Sequence, residues 1–108
     1  MKNKILVYAD LQREDVGQRI ITLDTVGTLK DLERNNIDLS EGAIIWCWRD
    51  DGTEKLEFDP FIFPLKVSFN KEINKWVGEY KSEDLLHYSD YLEKGDHSWD
   101  DAVAQAEQ

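Results

Sequence analysis

The chain has 108 residues, 41% of them hydrophobic, with four Trp, four Tyr and four Phe, a single cysteine and a formal net charge of −10. That length is one domain with room for an ordinary core, and the apolar content excludes disorder of the whole chain. A lone Cys47 excludes an internal disulfide framework, and the acidity excludes a nucleic-acid-binding face, which needs a basic surface to meet phosphates.

Lys4 to Asp10 predicts a first strand, apolar on both faces from Ile5 to Tyr8, followed by a polar loop from Gln12 to Gln18. Arg19 to Asp24 predicts a second strand. Thr28 is the expected N-cap of a short helix, with Asp31 three residues on and Leu29 and Leu32 on its apolar face. That helix should end at Asn35 and Asn36, since Asn tolerates the left-handed conformation. After a turn at Ser40-Glu41-Gly42, Ala43 to Arg49 is the strongest strand signal: Ile44, Trp46 and Trp48 share one face, Ile45 and Cys47 the other. Asp51-Gly52 predicts a hairpin returning through Glu54 to Phe58. Pro60 and Pro64 bracket Phe61-Ile62-Phe63, which predicts an edge segment or corner. Leu65, Val67 and Phe69 alternate as a half-buried strand, and Lys75 to Tyr80 returns after a turn at Asn70 to Asn74. A second helix is expected from Glu83 to Lys94, capped by Ser82, stopped by Gly95 and facing the core with Leu85, Tyr88 and Leu92.

Six short strands with tight turns, one short inserted helix and a C-terminal helix predict a mainly β (α+β) fold: a curled antiparallel sheet or small SH3-like barrel. A single domain is expected over residues 1–95, with residues 96–108 an acidic tail that is partly ordered at most. The charge is uneven. Residues 1–81 hold 12 Lys and Arg against 15 Asp and Glu, whereas residues 82–108 hold Lys94 against eight acids, so −7 of the charge sits in the last quarter.

Two stretches, Ile5-Leu6-Val7-Tyr8-Ala9-Asp10 and Gly27-Thr28-Leu29-x-Asp31-Leu32 continuing to Ile37-x-Leu39-x-Glu41-Gly42, resemble a group of small uncharacterised bacterial proteins. In that group a Trp-Val pair on a late strand matches Trp76-Val77. The resemblance spans residues 4–88 and implies no activity or cofactor.

Catalytic signatures are thin. Cys47 lies mid-strand between two tryptophans with no neighbouring cation to lower its pKa, as a packing residue does. No serine stands in a Gly-x-Ser-x-Gly context, and the six glycines are scattered singly, so no phosphate-cradling loop is present. His87-x-x-Asp90 and His97-x-x-Asp100 have ligand spacing, but both pairs read as solvated charge and no metal is expected. Asp50-Asp51-Gly52 lacks the alternating acids of a calcium loop. No run approaches a membrane span, and Met1 to Lys4 leads into too short an apolar stretch for a secretion signal, so a cytoplasmic location is expected.

The aromatics say more. The expected function is a non-catalytic protein-interaction module, such as an immunity protein, inhibitor or adaptor, binding a basic protein partner through an acidic, aromatic-bearing surface. Trp46, Trp48, Asp96, Trp99, Asp100 and Asp101 are the candidate partner-binding residues. Trp99 is expected to supply the apolar anchor, against a competing account in which it folds back on the sheet. No cofactor, direct nucleic-acid contact or membrane is expected, and self-association is left open. Two alternatives remain: a nucleic-acid-mimicking stoichiometric inhibitor, and a small ligand-binding barrel or enzyme, which needs a concave pocket with convergent polar groups and which a deep pocket lined by Trp46 or Trp48 would favour.

Overall fold

A computed structural model describes residues 5–9, 19–50 and 58–107. The elements run β1 (Val7–Tyr8), β2 (Ile20–Thr22), α1 (Val26–Arg34), β3 (Ile44–Arg49), β4 (Phe61–Asn70) and β5 (Lys75–Glu79), then β6 (Leu86–His87), α2 (Tyr88–Glu93) and α3 (Asp100–Glu107). The strands form one sheet in the order β1-β3-β4-β5-β2, with β6 added to β4. The fold is of the expected class, α+β and mostly β: a curled half-barrel with three α-helices among the described residues. One ladder departs from the antiparallel expectation, since β1 runs parallel to β3, pairing Val7 with Cys47 and Tyr8 with Trp48.

Strand alternation sorts the side chains into two layers. Val7, Cys47 and Phe63 lie abreast across β1, β3 and β4, Ile45 pairs with Leu65, and Val67 lies abreast of Gly78 and Ile21. With Ala9, Leu23, Leu32 and Tyr80 they form the inner core, in which Cys47, Phe63, Leu65 and Val67 have no exposed surface. Gly78 allows this closeness, because a Cβ there would lie 2.9 Å from Leu65 Cδ1. Burial, and then the charge of Asp31, push the Cys47 thiol far above its ordinary pKa, so the thiolate is inaccessible and the packing reading of Cys47 holds. On the opposite face Leu6 and Ile62 join Trp99, Ala102 and Val103 of the C-terminal segment in a second core, against which Trp48, Phe58, Tyr88 and Tyr91 pack.

Four expectations are corrected. Helix α1 is capped by Thr25, whose Oγ1 accepts from the Thr28 amide, not by Thr28. The shift turns Thr28, Asp31 and Leu32 inward and leaves Leu29 exposed. The predicted end is right: Asn36 takes a left-handed φ of 55°.

Pro60 to Pro64 makes no corner; Pro64 sits within the ten-residue β4, opposite Trp46. Val67 exchanges backbone hydrogen bonds with Ala43 and Gly42, so odd residues of β4 point their amides at β3 and even residues point away. Pro64 therefore presents its missing N–H to the far side. There β6 has ended opposite Ile62 and β5 begins only opposite Lys66, so no ladder bond is lost.

The helix expected from Glu83 starts later. Leu86 and His87 pair with Ile62 and Phe61 as a strand, and α2 begins at Tyr88, with the Asp90 carboxylate accepting from the His87 amide. Ser82–Asp84 form a single 3-10 turn, and at Leu86 and His87 strand pairing outweighs helical propensity.

Finally, the core runs on past residue 95. Trp99 is only 3% exposed, and residues 100–107 are helical. The expected Gln12 to Gln18 loop, the Asp51-Gly52 turn and most of the strand from Glu54 to Phe58 lie outside the described residues.

Candidate functional site

The outer face of β3 carries the candidate residues. Ile44, Trp46 and Trp48 all point to it, as alternation requires, but their surroundings differ. Ile44 is 57% exposed and Trp46 37%, in a run where Lys66 and Pro64 are their cross-strand neighbours on β4. A shallow depression joins Ile44 and Pro64 to Lys66, Lys81, Glu79 and Asp84. Trp48, further along, is half-buried and meets Tyr8 edge-on at 5.1 Å and Phe58 at 5.6 Å between ring centres.

Trp99 does not stand free as an anchor. It folds back onto the sheet, its ring 5.0 Å from that of Trp46 and 6.3 Å from that of Tyr91. The expectation that it reaches out to a partner is therefore corrected: a buried indole gains more from this contact than from water. What results is an aromatic ladder, Trp46–Trp99–Tyr91, in which Trp46 is the solvent-facing rung.

Acids gather round that ladder. The Tyr91 phenol is raised in pKa first by burial and then by the nearby charges of Asp84, Asp96 and Asp90. Asp96 accepts from the amide (2.9 Å) and hydroxyl of Ser98, setting the turn that leads into α3. Asp100 accepts from the Tyr88 hydroxyl at 2.5 Å and pairs with His97 at 3.2 Å, tying α3 to α2. Burial, that hydrogen bond and the Asp100 charge push the Tyr88 phenol up to about 12. Asp101 is exposed, and with Asp100 it places negative charge on the first turn of α3, where the helix dipole favours it.

Of the six candidates the structure thus brings Trp46, Trp99, Asp96 and Asp100 into one region and leaves Asp101 exposed on α3, while Trp48 packs on the same outer core at its β1 edge. Ile44 was missed as a candidate, although its place on the Trp46 face was readable from alternation. The two His–Asp pairs stay local, His87 3.8 Å from Asp90 and stacked on Phe61, and no group of three metal-ligating side chains forms among the described residues.

A second concavity lies at the other end of β3, between α1 and the β1 edge. Tyr8 and Trp48 form its aromatic floor, and Gly27, Lys30, Asp31 and Arg34 its helical wall. Here the two resemblance motifs meet. The Tyr8 amide donates to Asp31 at 2.8 Å, Thr28 donates its hydroxyl to the Tyr8 carbonyl at 2.6 Å, and a Cβ on Gly27 would lie 2.8 Å from the Tyr8 ring. Residues 5–9 supply the strand edge, and Gly27, Thr28 and Asp31 are the side of the helix that seals it.

Among the described residues no helix is long and apolar enough to cross a membrane. No family model, curated protein or solved structure matches this chain.

Proposed function

We propose that the protein is a non-catalytic interaction module that binds a basic protein partner through the outer face of its sheet. One observation carries this reading: Ile44 and Trp46 stand exposed side by side, and Trp46 continues into an aromatic ladder flanked by Asp84, Asp90, Asp96 and Asp100. An apolar centre with a charged rim is the usual anatomy of a protein-binding patch, and tryptophan is a favoured hot spot. The charge of −7 over residues 82–108 would steer a basic partner toward that rim. Self-association through the same patch would set like charges against each other. A cytoplasmic home is part of the proposal, since a lone free cysteine suits a reducing compartment.

The test is affinity capture from native extract at low salt, run in parallel with Ile44→Asp and Ile44→Ser variants of unchanged fold. A basic protein should be retained by the wild type, released by raised salt and lost by both variants. Retention of the same protein by Ile44→Asp at full strength would defeat the reading.

A further inference from the structure

We propose that the cleft between α1 and the β1–β3 edge binds a small planar anion, an aromatic ring bearing a carboxylate or phosphate. The cleft is open to solvent and offers about 800 Å³, within the range of small-molecule sites. Its floor is two rings, Tyr8 and Trp48, set at 66° to each other, which offers a flat ligand one face to stack on and one edge to meet. Its wall is a single face of α1: Gly27, Lys30 and Arg34 follow at spacings of three and four and so line up one above the other.

That wall is organised before any ligand arrives. Arg34 is held by Asp31 at 2.7 Å, and Asp31 is itself fixed by the Tyr8 amide at 2.8 Å. The guanidinium keeps donors beyond those spent on Asp31. Lys30 makes no ion pair among the described residues and carries an uncommitted ammonium beside the aromatic floor. Glu33 also borders the cleft, so the local charge is balanced. Affinity must then come from short charge-assisted hydrogen bonds to Lys30 and Arg34, not from a long-range field.

The experiment is a ¹H–¹⁵N titration of the full chain with 1-naphthoate, with 1-naphthyl phosphate, with neutral 2-naphthol and with tetramethylammonium. The Trp48 indole resonance is assigned by its loss in Trp48→Phe. Saturable movement of that resonance and of the Gly27 amide is expected with one or both naphthyl anions, and the stronger of the two identifies carboxylate or phosphate as the preferred group. Lys30→Gln, an exposed change, should weaken that binding roughly threefold or more, and naphthol should bind more weakly than either anion. No saturable movement up to about 10 mM anion, equal binding of naphthol, an unaffected Lys30→Gln variant, or tighter binding of tetramethylammonium would each overturn the proposal. Ile44→Asp should leave the titration unchanged, so failure of this site is separable from failure of the protein-binding patch.

Discussion

The two faces of the sheet are built from the same strands and meet different fates. The inner face is closed by the curl of the sheet and by Leu32 of α1, and its central residues have no contact with water. The outer face is covered only where α2 and the Trp99–Val103 segment reach, and past them Ile44 and Trp46 stand at 57% and 37% exposure. A sheet apolar on both faces needs a layer on each. Where the second layer is too short, the remaining apolar surface is left for something else to cover.

If the outer core is a true core, deleting its central ring must cost as much as deleting one from the inner core. Phe63→Ala, at a fully buried position, should lose about 3–5 kcal/mol in urea denaturation, and Trp99→Ala should lose a comparable amount. A Trp99→Ala loss below about 1 kcal/mol would demote residues 96–107 to an appendage, because so large a buried ring cannot be removed cheaply from a packed site.

A smaller effect is expected at the β1 edge. Asp31 is 8% exposed and takes hydrogen bonds from the Tyr8 amide and Arg34. Asp31→Asn keeps one acceptor but turns an amide donor toward a cation, so a loss of about 2 kcal/mol is expected. Hydrogen exchange at the Tyr8 amide should quicken most in the same variant, whereas exchange in the central β4 should quicken only as far as global stability falls.

The outer core should also be the more sensitive to alkali. Tyr88 has its phenol raised from the ordinary value of 10 to about 12, chiefly by burial and then by Asp100. A raised folded-state value means this stability is intact below about pH 10 and is lost as pH climbs through about 12, since the folded state resists the charged form. Trp fluorescence should report detachment of Trp99 across that window. Tyr88→Phe should flatten the Tyr88 part of the transition, leaving what Tyr91 contributes.

Much of this was legible in the sequence because alternation is a local property. The inward set Ile45 and Cys47 against Ile44, Trp46 and Trp48, the left-handed stop at Asn36 and the overall class all follow from spacing. The misreadings share a physical cause: they depend on partners distant in the chain. Pro64 looks like a strand breaker until its missing amide is seen to face the gap between β6 and β5. Leu86 and His87 look helical until β4 offers them an edge. Trp99 looks free because the surface that receives it, Trp46 and Ile62, lies more than thirty residues away. The cleft at Tyr8 was hidden for the same reason, since it is assembled from a strand and a helix separated by a loop.

The smallest expected effect on stability separates the patch from both cores. Ile44 is more than half exposed, and its outward neighbours are Lys66 and Pro64, so Ile44→Ser removes little buried contact. Surface changes of that kind normally move stability by no more than about 0.5 kcal/mol. Serine also lowers strand propensity slightly, which sets the sign: a small loss. Partner affinity should respond in the opposite proportion, because a central apolar contact in a patch can be worth about 2 kcal/mol while contributing almost nothing to the fold. Trp46→Ala cannot make this separation, since it also strips a ring from Trp99 and must weaken the outer core. Raising salt should slow association without altering the Ile44→Ser penalty, because screening acts on the acidic rim and not on an apolar contact. An Ile44→Ser variant that melts far below the wild type would mean that the outer face is already covered at this position, and the distinction between a closed inner face and an open outer one would fall with it.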